Sequence, residues 1–234
     1  MVHARFRFQK IIWLLITYVF MVSPVVFAQR SIHPDFELLD AYVRKEMAAC
    51  RIPGFALAVL QKGQVLYIRG YGIADPTGRE VVSDTPFHIA SLSKSFTALA
   101  IMQLVDRGQV ALEEKAITYL PWFKLKDIEL SNSITIRQLL DHTSTLVESA
   151  EFAVATLRGD DTSIVQLVER LESSRTAGTL GKTFQYNNAN YIILGAVIEA
   201  VSGLSYQDYL QLHIFDQLGM HHSHVFLASA LEEN

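Results

Sequence analysis

The sequence predicts an α+β fold, an antiparallel sheet with flanking helices joined to a mostly helical region. Three observations carry the prediction. The stretch Pro34 to Met47 spaces Phe36, Leu39, Val43 and Met47 three or four residues apart, the period of a helix with one apolar face, with Asp35 and Glu37 in the first turn where acids favour the helix dipole. Two β-rich runs follow, Phe55 to Leu60 and Gln64 to Tyr71, joined across Lys62 and Gly63, and a second turn signal, "DPTGR", lies at Asp75 to Arg79. After Pro86 the texture changes: Ser91 to Val105, Ile136 to Asp141, Ser163 to Glu172, Tyr191 to Val201 and Tyr206 to Leu218 are all helix-patterned. A lone hairpin is marginal in water, and few further strand candidates follow, so the sheet is expected to be incomplete in this chain.

The 234 residues are half apolar with ordinary aromatic content, enough for a real core. Residues 1–28 are expected to be a signal peptide rather than part of that core. Arg5, Arg7 and Lys10 form a basic start, Ile11 to Val22 an apolar run, and Val26, Phe27 and Ala28 a small-residue cleavage site. The alternative is an uncleaved membrane anchor, since Ile11 to Ala28 just reaches spanning length, although Pro24 interrupts it. The protein is therefore expected to be exported, to the periplasm or the medium. Residues 29–85 read as the helix and hairpin of the sheet domain and 86–234 as the mostly helical region.

Losing Arg5, Arg7 and Lys10 from the 20 basic residues, and none of the 24 acidic ones, leaves a net charge of about −7, which argues against a nucleic-acid partner. Cys50 is the single cysteine, so no intramolecular disulfide can form, and its place after an amphipathic run predicts a packed thiol.

Ser91 and Lys94 stand three positions apart at the head of an apolar helix pattern, which places them on one helix face with Cβ atoms ~5–6 Å apart. Near a helix N-terminus the dipole disfavours the lysine cation, and partial burial adds to that effect. An uncharged amine beside a hydroxyl is a general base, and that is how a serine becomes a nucleophile. Taken alone, the pair reads more simply as a serine cap followed by a solvated lysine. Further on, Tyr186 and Asn188 form a Tyr-x-Asn pattern just before another apolar helix, where the plainer reading is a buried aromatic and a helix cap.

The ordered series "PGFALAVLQKGQVLYIRGYGIAD", "FHIASLSKSFTALAIMQL", "LLDHTSTL", "FQYNNANYIILGAVIEAVSG" and "IFDQLGM" resembles the serine β-lactamase and penicillin-binding-protein superfamily, in its class C β-lactamase-like branch. The resemblance implies a β-lactamase/transpeptidase-like fold. It also implies a serine hydrolase that forms an acyl-enzyme on Ser91 from β-lactams or from D-Ala-D-Ala-like peptides or esters, without a cofactor. Lys94 would be the helix-borne partner of Ser91, Tyr186 would shuttle the proton from Ser91 to the leaving group, and Asn188 would hold Lys94 and the substrate amide.

Three features qualify that expectation. Family members carry a Lys-Thr-Gly or His-x-Gly strand beyond Tyr-x-Asn, whereas no glycine here has Lys or His two positions before it, so the chain is expected to lack its C-terminal part. Such a piece, or a degenerate member, would act instead as a non-catalytic penicillin- or peptide-binding module. Thr145 stands where the family usually has glycine, and a β-branched residue resists positive φ, so that turn is expected to be altered. His142 is expected to be structural, and His213, His221, His222 and His224 lack the spacing and the additional ligands of a zinc site, so no metal is expected.

Overall fold

The computed structural model describes residues 35–147, 163–226 and 229–230. The signal-peptide segment therefore lies outside the described residues. The chain divides after Glu80 into two units.

Among the described residues, the first unit holds one helix and one hairpin. Helix α1 (Phe36–Cys50) starts where the Asp35 carboxylate accepts the backbone N–H groups of Glu37 and Leu38, both at 3.1 Å, and ends at Arg51 in the left-handed conformation. Strands β1 (Gly54–Gln61) and β2 (Gln64–Gly72) pair antiparallel from Gly54 opposite Gly72 to Gln61 opposite Gln64. Lys62 and Gly63, at φ of 52° and 76°, make the two-residue turn that the sequence predicted, because positive φ at both positions matches the twist of the flanking strands. Gly72 closes the unit, since a Cβ there would collide with the carbonyl oxygen of Pro53, which accepts the Ile73 N–H at 2.9 Å.

Alternation along β2 brings Tyr67, Arg69 and Tyr71 to one face, and all three donate to the Asp40 carboxylate of α1, Tyr71 at 2.6 Å. Phe36 stacks on Tyr67 at 4.5 Å, and the guanidinium groups of Arg44 and Arg69 lie 5.5 and 5.7 Å from the centre of the Tyr71 ring. The hydrogen bond from Tyr67, then that from Tyr71, holds the Asp40 carboxyl below the usual carboxylate range, and burial pushes the Tyr71 phenol up. Asp75 takes the Thr77 hydroxyl, the Arg79 guanidinium and the Thr77 N–H, and its pKa falls to about 2. Cys50 is exposed at the last residue of α1, not packed as expected.

The second unit is built on helix α7 (Asn188–Ser202), whose residues Ile193 to Ile198 are all buried. A helix that is apolar on nearly every side requires neighbours on every side. It packs against α2 (Ser93–Asp106), α3 (Ala116–Tyr119), α5 (Ile136–Leu140), α6 (Ile164–Glu169) and α8 (Tyr206–Leu210). Thr97, Ala100, Ile101 and Leu104 line the buried face of α2, and α6 comes close enough that a Cβ on Gly195 would stand 3.3 Å from Ile164. The short α4 (Ile128–Ser131) lies between α3 and α5 in the chain. Beyond the prediction, Leu146–Val147 (β3) and Arg175–Thr176 (β4) form a second antiparallel pair. The run from Tyr206 is helical as expected but broken, passing from α8 through a π turn at Gln211–Phe215 into α9 (Asp216–Leu218).

The depressed carboxylates of Asp40 and Asp75 bind fewer protons folded than unfolded, so their stabilisation is present above the unfolded value of 3.8 and is lost below it as the pH falls through their lowered folded values, about 2 for Asp75. An acid titration followed by tyrosine circular dichroism should show the first unit loosening in that window, and Asp40→Asn should weaken the dependence. In the second unit Ile193→Ala should lower stability by about 2–5 kcal/mol in denaturant unfolding, the range for a fully buried aliphatic side chain.

Candidate active site

Ser91 lies in a single 3₁₀ turn, Ala90–Leu92, two residues ahead of the first α-helical residue of α2, rather than on the α-helix itself. The residue before it, Ala90, is held at φ 46°, a left-handed conformation that costs a non-glycine residue about 1–2 kcal/mol and turns the serine outward at the head of the helix. Lys94 follows one turn later and is only half-buried. Its Nζ donates to Ser91 Oγ at 3.2 Å and to Asn188 Oδ1 at 2.6 Å.

The partners come from a segment more than ninety residues further along the chain. Tyr186 Oη lies 2.6 Å from Ser91 Oγ, and because both hydroxyls rotate, either can donate. The Lys94 Nζ stands 4.8 Å from the centre of the Tyr186 ring and 5.7 Å from that of Tyr191, within the distance at which a cation is drawn to an aromatic face. All four residues singled out in the sequence thus meet at one point. Tyr186 is 48% exposed rather than buried, and the cap of α7 is Asn187, whose Oδ1 accepts the Ala189 N–H at 2.6 Å. The cap being Asn187, the Asn188 side chain is turned to Lys94.

The segment Leu139 to Leu146 supports this arrangement from below. The carbonyl of His142 accepts the Gln185 N–H at 2.8 Å, that of Thr143 accepts the Gly181 N–H at 3.0 Å, and that of Thr145 accepts the Ala177 N–H at 2.9 Å. The His142 Nδ1 receives the Asn187 N–H at 3.2 Å, and the Asn187 side-chain amide donates to the Leu146 carbonyl at 2.9 Å. Ser144 donates to Asn190 Oδ1 at 2.6 Å, and Tyr191 donates to the Leu140 carbonyl at 3.0 Å.

The turn at Thr145 is not altered as its side chain suggested. Thr145 takes φ 67° and His142 φ 60°, because the bonds on either side over-determine the backbone. Burial, and then the positive charge of Lys94, hold the His142 imidazole below its ordinary pKa against the opposing pull of Asp141, while burial raises the Tyr191 phenol.

Sequence reading passed over Ser144, Asn187, Asn190 and Tyr191. The signal that could have found them is polar residues at Asn187, Asn190 and Tyr191, spaced to share one face of the first turn of a helix that is otherwise apolar. Among the described residues, no three His, Cys, Asp or Glu side chains come together as metal ligands, and no single helix is long and apolar enough to cross a membrane.

A family model described as Beta-lactamase matches residues 39–234. "Penicillin-binding protein 4" of Amycolatopsis lactamdurans is 33% identical over 180 residues, covering 77% of this chain and 46% of that protein. The octameric penicillin-binding protein homologue from Pyrococcus abyssi superposes with a TM-score of 0.72 at 28% identity, over 86% of this chain and 46% of its own. A class C β-lactamase solved in complex with cefoxitin gives a TM-score of 0.68 at 26% identity, over 84% of this chain and 53% of its own. The chain spans less than half the length of the curated relative it matches and about half of these two solved structures. Helices with small antiparallel sheets in the β-lactamase/transpeptidase-like arrangement, together with the extent of the family match, place this chain in the β-lactamase family, within the superfamily of serine β-lactamases and penicillin-binding proteins.

Proposed function

We propose that the chain is a serine hydrolase that forms an acyl-enzyme on Ser91, taking β-lactams or D-Ala-D-Ala-like peptides and esters as substrates. One observation carries the reading: Ser91 Oγ, Tyr186 Oη, Lys94 Nζ and Asn188 Oδ1 form an unbroken chain of contacts of 2.6 to 3.2 Å. Acyl transfer requires a nucleophile, a base within hydrogen-bond reach and a group that orients the base, and these four side chains are suited to those parts.

Tyr186 Oη is the nearer proton acceptor, at 2.6 Å against 3.2 Å for Lys94. In its phenolate form Tyr186 takes the proton of Ser91 as Oγ bonds to the substrate carbonyl carbon. It returns that proton to the leaving nitrogen or oxygen as the bond from the carbonyl carbon breaks, which leaves acyl-Ser91 and the phenolate. Water then attacks the ester by the same route, with Tyr186 taking its proton and returning it to Ser91. Lys94 supplies the positive neighbour of the developing oxygen charges, and Asn188 fixes Lys94 from the far side and is available to the substrate amide.

A second reading, a binding module that captures penicillin or peptide without turnover, differs from the first in the fate of the acyl group on Ser91 rather than in how that group is formed. On the basic, apolar and small-residue pattern of residues 1–28 we propose that the protein is exported to the periplasm or the medium, a reading that a chain retained in the cytoplasm would contradict.

Incubation of the folded chain with a fluorescent penicillin should label Ser91, and Ser91→Ala should abolish the label. Tyr186→Phe should slow labelling by roughly 10²- to 10⁴-fold, the span of a lost general base. Labelling followed by release indicates a hydrolase, stable labelling indicates the capture module, and a folded chain that takes no label overturns acylation altogether.

A further inference from the structure

We infer that His142 is a positioning residue for Tyr186, acting through an unprotonated Nδ1, so that acylation of Ser91 depends on the protonation state of this imidazole. The inference rests on the acyl-transfer reading above.

The two peptide N–H groups that flank Tyr186 both end on His142. The Gln185 N–H donates to its carbonyl oxygen at 2.8 Å and the Asn187 N–H to its Nδ1 at 3.2 Å. A residue whose neighbours on both sides are tied to one point has little backbone freedom left, and the direction of the Tyr186 ring toward Ser91 follows from it. The imidazole also lies against that ring, with centroids 4.7 Å apart and planes 34° apart. Phe184 and Tyr191 close the pocket at 5.9 and 5.2 Å.

The tautomer is dictated by the donors. A backbone N–H can only donate, so the Nδ1 facing Asn187 must carry a lone pair, and the ring proton must sit on Nε2. The Asn190 amide nitrogen, also 3.2 Å from Nδ1, is turned the same way, because the oxygen of that amide already accepts from Ser144. Protonation would place a hydrogen on Nδ1 against two donors in a site only 8% exposed. The charged and titratable groups facing the ring are Lys94 from α2, Asp141 beside it in the chain, and the phenols of Tyr186 and Tyr191 from the α7 segment. Lys94 and burial oppose a charge on the ring, and Asp141 favours one.

The test uses the whole chain and two acyl donors, a fluorescent penicillin and p-nitrophenyl acetate, so that the result does not hinge on one substrate class. His142→Ala should slow Ser91 acylation on the order of ten- to a hundredfold while thermal unfolding shows a folded protein. His142→Asn puts an amide oxygen near the position of Nδ1 and tolerates positive φ, so it should recover at least tenfold over the alanine variant.

The wild-type rate should fall as the imidazole protonates below its ordinary value of about 6.5, and the asparagine variant should lack that acid limb. Nitrogen NMR of labelled histidine should find Nδ1 unprotonated and Nε2 protonated at neutral pH. Equal rates for the alanine and asparagine variants, an acid limb unchanged in position and steepness between wild type and His142→Asn, or a protonated Nδ1 would each overturn the inference. A folded wild type that neither donor acylates overturns the acyl-transfer reading and this dependence with it, whereas acylation indifferent to position 142 overturns this inference alone.

Discussion

Asn187 is completely buried at the head of a buried helix, and every polar group it brings there must find a partner inside the protein. Its N–H reaches His142, its amide donates to Leu146, and its Oδ1 caps Ala189. This one satisfied residue joins the hydrophobic core of the second unit to the segment that carries Tyr186. Precision at the site is therefore supplied by the core: α7 cannot shift without leaving buried amides unpaired, and Tyr186 and Asn188 stand on either side of its cap.

Strain around the site fits the same account. Ala90, His142 and Thr145 all hold positive φ without being glycine, and all three lie in the segments that meet at Ser91. Such conformations persist only where the surrounding bonds fix them. At Thr145 and His142 the fixing bonds are the carbonyls that accept from Ala177 and Gln185. At Ala90 the turn passes directly into α2, whose Thr97, Ala100 and Ile101 are packed in the core.

Much of this was legible in the sequence because it is local. The Lys62–Gly63 turn, the period of α1, and the one-turn spacing of Ser91 and Lys94 follow from short-range rules, and the ordered motifs brought Tyr186 and Asn188 into the same reading. What escaped was long-range or very short. Asp40 looks like an ordinary surface acid on α1 until β2, about 30 residues later, presents Tyr67 and Tyr71 to it. The pair Leu146–Val147 and Arg175–Thr176 is too short to leave a period. Helix α7 begins three residues before its apolar pattern does, because Asn187 caps it there. The Thr145 turn was misjudged because local preference argued against positive φ while tertiary hydrogen bonds imposed it.

Ser91 and Tyr186 are separated by 95 positions, so their contact exists only once a loop of that length has closed. Until the segment that carries Tyr186 docks, the Ser91 hydroxyl is an ordinary alcohol with no phenol beside it. A nascent or unfolded chain thus lacks the pairing of these two hydroxyls, which arrives only with the finished fold, a dependence written into chain connectivity.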